Sequence, residues 1–201
     1  AHGMPRKICL VSEEGKMEIE KLISFIEEAE KLKSVVRTAW TGKGRRESTA
    51  EHSWRLALFA GLLSDSFPEA DLSKVLMMSL IHDIGEIEEG DVSAALCPDQ
   101  EEKYATEYRA ARSVFALLPE PQAGRLMDIW IEYNDCSTPE EKLVKALDKA
   151  ETILQHCQGD NPPDFDYSFN LKYGKEYFEY NNILKELRSM IDEKTRKRMK
   201  T

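Results

Sequence analysis

Apolar residues recur at helical spacing along almost the whole chain. Ile19, Leu22, Ile23, Ile26 and Ala29 fall on one stripe and predict a first helix over about residues 16–35. Ser48-Thr49-Ala50-Glu51 has the spacing of a capping box and opens a second helix that runs to about Phe67. Pro68 and Asp71 punctuate the chain, and Asp71 can cap a third helix from Leu72 to about Ile87. A fourth starts at Pro98, passes through Tyr104, Tyr108, Ala111, Phe115 and Leu118, and is closed by Pro119. A fifth covers about 121–134 with Leu126, Ile129 and Trp130. Thr138-Pro139-Glu140-Glu141 supplies a capping threonine, a first-turn proline and acids against the dipole, so a sixth helix runs to about Cys157. Residues 159–169 form a polar loop containing Pro162 and Pro163. A last helix over about 174–199 ends in Lys194, Arg196, Lys197, Arg198 and Lys200, basic side chains that complement its dipole. No alternating strand run, glycine-rich phosphate loop or internal repeat is present. The prediction is an all-α bundle of about seven helices.

Composition narrows the class. At 201 residues, 41% hydrophobic and 32% charged, the chain fits one soluble globular domain that needs no disulfide or zinc staple. No apolar run is long enough to span a bilayer and no signal-peptide pattern opens the chain, so no membrane partner is expected. A net charge of −9 argues against binding a nucleic-acid polymer. Cys9, Cys97, Cys136 and Cys157 lie far apart, as reduced thiols in a cytoplasmic protein do. Ala1-His2-Gly3 before Met4 has the look of an expression-tag remnant, which leaves 4–201 as a single domain with its core over about 16–158.

The informative stretch is Val75 to Ile87. Apolar residues cover nearly every face of this helix, so it is expected to be central, yet it carries His82-Asp83 and, one turn on, Glu86. Burying an imidazole beside a carboxylate costs several kcal/mol unless partners compensate. One compensation is mundane: a histidine bonded to a neighbouring helix and an aspartate capping nearby backbone. The other is a metal. His52, in the first turn of the second helix, and Asp148, flanking the apolar stripe of the sixth, are candidates to meet His82-Asp83. Two imidazoles and two carboxylates suit a divalent transition ion such as Mn, Fe, Co or Ni.

The order Glu47-Ser48-(x)3-His52-Ser53, then His82-Asp83-Ile84-(x)-Glu86-(x)4-Asp91, then Leu143 through Asp148 to Glu151, resembles the HD-domain metal-dependent phosphohydrolases, and within them the 5′-deoxynucleotidase branch. The resemblance spans about Arg37 to Glu151. It implies that His52, His82, Asp83 and Asp148 hold one divalent ion (Mn, Co, Ni, Fe, Mg or Zn), which would activate water near neutral pH. It implies catalytic carboxylates at Glu86 and Asp91, although an acid at position 86 also reads as an ordinary side chain at a helix end. It implies a homodimer, for which the apolar stripe of the 174–199 helix (Tyr177, Tyr180, Ile183, Leu184, Leu187, Ile191) is available, unless that stripe caps the core instead.

Residues 31–46 hold Lys31, Lys33, Arg37, Lys43, Arg45 and Arg46 and no acid, a local field suited to an incoming phosphate. Arg37 matches the substrate-binding arginine of the resembled branch, and arginine grips phosphate bidentately. Trp40 is a candidate to pack on sugar or base, or a plain core aromatic. The reading that follows is hydrolysis of (deoxy)ribonucleoside 5′-monophosphates to nucleoside and phosphate. The alternatives are another HD-domain nucleotide phosphohydrolase acting on triphosphate, cyclic or signalling nucleotides, or a non-catalytic, metal-stabilised binding module. A second-metal enzyme would want more histidines, and only His156 remains.

Overall fold

The computed structural model describes residues 13–96, 99–135 and 137–200. The tag-like residues 1–3, Cys9, Cys97, Cys136 and the expected helix start at Pro98 lie outside them. Among the described residues are eight α-helices: α1 (Glu13–Ala29), α2 (Thr49–Leu63), α3 (Leu72–Ile81), the four-residue α4 (Glu86–Glu89), α5 (Gln100–Phe115), α6 (Gln122–Asp135), α7 (Pro139–Gln158) and α8 (Asn182–Arg198). No helix among them is long and apolar enough to cross a membrane.

The local signals act as the sequence predicts. Ser48 Oγ accepts from Glu51 N and the Glu51 side chain accepts from Ser48 N, a complete capping box at the start of α2. Asp71 caps α3 and Thr138 caps α7. α7 is the central helix, with Leu143, Val144, Ala146, Leu147, Ala150 and Ile153 all fully buried. Each large apolar side chain so buried contributes about 1.5–3 kcal/mol. Two apolar clusters form the core, and α7 belongs to the first. One joins Leu56, Met78, Leu147, Ile153, Phe178, Leu184 and Ile191 from α2, α3, α7 and the C-terminal part; the other joins Ile81, Ile84, Ala111, Phe115, Leu126 and Trp130 from α3, α5 and α6. α3 belongs to both, so His82 and Asp83 sit at the seam.

Three elements depart from the sequence prediction. An antiparallel hairpin, β1 (Val36–Trp40) and β2 (Arg46–Ser48), lies between α1 and α2, paired Val36 with Ser48 and Trp40 with Arg46. A three-residue strand carries no readable alternation, and its turn depends on Gly44 at φ +76°. The expected last helix begins only at Asn182, because the chain first runs through short 3-10 turns at Tyr167–Leu171 and Lys175–Phe178. Leu184 and Ile191 of α8 are buried in the first cluster, so that part of the stripe caps the core. Arg198, read as part of a dipole-complementing end, also donates to the Tyr167 hydroxyl and the Gly159 carbonyl, at 3.0 Å each.

The third departure shapes the site. α3 stops at Ile81, where a helix to about Ile87 was expected, and the chain tightens into three-residue turns. Ile84 N donates to Ile81 O, Glu86 N to Asp83 O and Ile87 N to Ile84 O. α5 crosses here: a Cβ built on Gly85 would lie 2.6 Å from Glu107 O and 2.9 Å from Glu107 Cα. Gly85→Ala therefore forces α5 away and costs about 1–3 kcal/mol. The thermal midpoint is expected to fall by roughly 3–10 °C; an unchanged midpoint would show that the two backbones do not meet there.

Candidate metal centre

Three elements converge on one point. His52 comes from the first turns of α2, where the capping box fixes the helix start. His82 and Asp83 come from the tightened end of α3, and Asp148 from the middle of α7. His52, His82 and Asp83 each direct one donor atom to within 4.8 Å of the others. Asp83 Oδ2 is 3.0 Å from His82 Nε2 and 3.9 Å from His52 Nε2, and Asp148 Oδ1 is 3.2 Å from His52 Nε2. All four sequence-predicted donors are thus side by side.

The outer ring of contacts settles which atoms face inward. His52 Nδ1–H donates to Glu151 Oε2 at 2.5 Å, and His82 Nδ1–H donates to the Ser79 carbonyl at 3.0 Å. Both rings are therefore turned with Nε2 toward Asp83 and Asp148, and neither Nε2, though buried, has an aligned hydrogen-bond partner. Carboxylate or carbonyl partners on the far nitrogen are the usual device for orienting metal-binding imidazoles. Two orphaned Nε2 atoms facing two carboxylates make a donor set that fits a divalent cation.

The electrostatics point the same way. Burial and Arg37 pull the His52 pKa down, but Glu151 and Asp148 outweigh them and push it up to about 9, a demand for positive charge on this ring. Burial disfavours the Asp83 carboxylate, yet His82 and His52 hold it well below the usual range. Asp148 is likewise held low against burial, chiefly by Lys149, whose Nζ lies 2.9 Å from its Oδ2. A second group, Glu47, His52 and Glu151, also clusters at metal-like distances. There Arg37 Nη1 is 3.9 Å from both carboxylates and Arg55 Nε is 2.6 Å from Glu151, so cations are already supplied.

The centre opens into a cavity of about 360 Å³. His82, Asp83 and Asp148 line it, as do Arg37, Glu86 and Asp91. Glu86 does not share a continuous helix with His82, but the tightened turn still carries it inward. It is buried, and its Oε2 accepts from Thr49 Oγ1 at 3.0 Å. Burial, Asp83 and Asp91 raise its pKa well above the ordinary value. Arg37 Nη2 donates to Thr152 Oγ1 at 2.9 Å while its buried Nη1 is unbonded. Of the predicted site residues, His52 sits behind the cavity wall against Asp83 and Asp148, and Trp40 is not brought to the cavity at all. It packs edge-on against Phe165 at 5.9 Å, with the Arg46 guanidinium over its ring.

Several cavity or support residues were not singled out from sequence: Thr49, Lys103, Tyr133, Lys145, Lys149, Glu151 and Thr152. Lys145, Lys149, Thr152 and His156 follow Asp148's face of α7 at spacings of three or four residues. That periodicity, counted along 145, 149, 152 and 156 beside Asp148, was the available signal.

The HD domain family matches residues 29–188. The chain is 34% identical over 149 residues to the 5′-deoxynucleotidase HDDC2 of Dictyostelium discoideum, covering 70% of this chain and 78% of that protein. It is 35% identical over 136 residues to the human 5′-deoxynucleotidase HDDC2, covering 67% and 66%. Among solved structures, a predicted metal-dependent phosphohydrolase from Magnetospirillum magnetotacticum superposes with a TM-score of 0.79 at 28% identity, covering 95% of this chain and 97% of that one. A match running from the end of α1 into α8, with the ordered histidines and aspartates inside it, makes this chain a member of the HD-domain family.

Proposed function

We propose that the protein is a metal-dependent phosphomonoesterase that hydrolyses (deoxy)ribonucleoside 5′-monophosphates to nucleoside and inorganic phosphate. The observation that carries the reading is the pair of buried Nε2 atoms of His52 and His82, neither with an aligned hydrogen-bond partner, set beside Asp83 and Asp148 where these meet a cavity also lined by Arg37 and Glu86. The names of the relatives supply the substrate class. His52, His82, Asp83 and Asp148 would hold the ion, with Mn, Fe, Co, Ni, Mg and Zn all compatible with such donors. When bound, the ion supplies Lewis acidity that lowers the pKa of water and draws charge from a phosphoryl oxygen.

The chain's own groups do the rest. Arg37, anchored through Nη2 to Thr152 and lining the cavity, places its guanidinium charge where a phosphate oxygen would arrive. Water attacks phosphorus as the bond to the 5′ oxygen breaks, and one proton of that water ends on the departing nucleoside oxygen. Glu86, steadied by Thr49, and Asp91 are the carboxyl groups on the cavity wall that accept and return this proton. Trp40 has no part in this reading, because it is not on the cavity wall.

We extend the reading to residues 4–201 as one domain, supported by the burial of α8's Leu184 and Ile191 in the same cluster as α2, α3 and α7. Free Cys157 supports a reducing, cytoplasmic compartment. A homodimer is proposed through α2, where Trp54, Leu58 and Leu62, 61%, 50% and 75% exposed, repeat every four residues as an apolar stripe. Such a stripe pairs with its own copy across a two-fold axis.

Three outcomes are expected. Adding Mn2+ or Co2+ to chelator-stripped protein raises the melting midpoint by roughly 5–10 °C near 100 times Kd; no shift with any divalent ion removes the metal centre. Restored protein releases phosphate from deoxynucleoside monophosphates, and Glu86→Gln lowers kcat roughly a hundredfold or more without loss of metal. Release of tripolyphosphate from triphosphates, or turnover of cyclic nucleotides alone, would transfer the site to another HD-domain reaction; metal binding with no turnover at all would leave a binding module. In light scattering the protein runs as a dimer and the Leu58→Glu/Leu62→Glu variant as a monomer; a variant that stays dimeric excludes the α2 face.

A further inference from the structure

α6 contributes none of the four candidate donors, yet its Tyr133 touches two of them. The Tyr133 hydroxyl donates to Asp148 Oδ2 at 2.8 Å, and its ring stands edge-on to the His82 ring with centroids 5.1 Å apart. The side chain is buried, and because a carboxylate oxygen can only accept, the phenol O–H is the donor in this bond. Lys149 Nζ donates to the same oxygen, at 2.9 Å. Asp148 Oδ2 is therefore committed to two donors, and Oδ1 is the oxygen that lies 3.2 Å from His52 Nε2.

A carboxylate with both oxygens free can swing between offering one oxygen and offering two. We infer that Tyr133 is a positioning residue that commits Asp148 to a single inward oxygen while backing the His82 ring. Lys145 Nζ, 4.0 Å above the Tyr133 ring on the cavity side, holds the ring from the other direction. Tyr133 thus sets two ligands from a helix that carries none. The inference rests on the metal reading above and adds to it a residue outside the family's ordered histidine and aspartate set.

Tyr133→Phe keeps the ring and deletes only the hydroxyl. Co2+ is the probe, because its visible absorption reports coordination number as well as occupancy. Wild-type protein is expected to bind one Co2+ with a defined spectrum. In the variant Co2+ binds 10- to 100-fold more weakly, and its absorption per ion falls as Oδ2, left with Lys149 as its one donor, turns toward the ion and raises the coordination number. The melting midpoint of the metal-free variant stays near that of the metal-free wild type. Wild-type affinity and spectrum in the variant overturn the inference and leave the metal reading standing. A drop in metal-free stability with unaltered Co2+ affinity also overturns it, since the hydroxyl would then serve the fold alone. Failure of wild-type protein to bind Co2+ overturns both.

Discussion

The structure depends on balancing carboxylates that it buries around one imidazole. Glu47, Asp83, Asp148 and Glu151 all lie within ion-pair reach of His52 or of the arginine beside it, in a region from which water is largely shut out. An unpaired buried carboxylate costs several kcal/mol, far more than any single apolar contact returns. Much of the remaining architecture is a way of bringing cations to that place. Arg37 arrives on β1, Arg55 on α2 and Lys149 on α7, each from a different element. What they leave uncompensated is the space between the two Nε2 atoms, which is where a divalent ion fits.

The two apolar clusters explain why this arrangement holds. A polar site enclosed by a single core would need many more satisfied groups around it. Here the polar residues follow the seam along α3 and α7, and each cluster closes on its own side. Rigidity at the seam comes from close packing, as at Gly85 against α5, and from buried hydrogen bonds such as Thr49 to Glu86. The wall opposite is built the same way. Arg188 of α8, buried, donates to the carbonyls of Tyr173 and Asn170 and pairs with Asp192, so the irregular stretch before α8 is fastened from behind.

The fold class and the inner donors were legible in the sequence because each violates a local rule. A His-Asp pair inside an otherwise apolar helix, and an acid beside the stripe of α7, stand out against a helical period. The capping box fixed where His52 would begin its helix. Less visible were features set by tertiary contact. The break after Ile81 accompanies the close passage of α5 over Gly85, and that glycine is its local mark in residues 72–87. The hairpin is too short to alternate, and without its register Trp40 could not be placed off the cavity wall. Glu151 was in view as part of a motif, but its bond to His52 spans 99 positions in sequence.

The broken helix is also what lets one short stretch serve two purposes. In a regular helix His82 and Glu86 would project in nearly the same direction, stacked one above the other. The three-residue turns rotate each step further and lengthen the rise per residue. Asp83 then meets His82 and His52, while Glu86 is carried to Thr49 at the start of α2. The same capping box that starts α2 thus fixes His52 and, one residue into the helix, the hydroxyl that holds Glu86. Candidate metal donors and candidate proton carrier are registered to each other through the first turn of one helix.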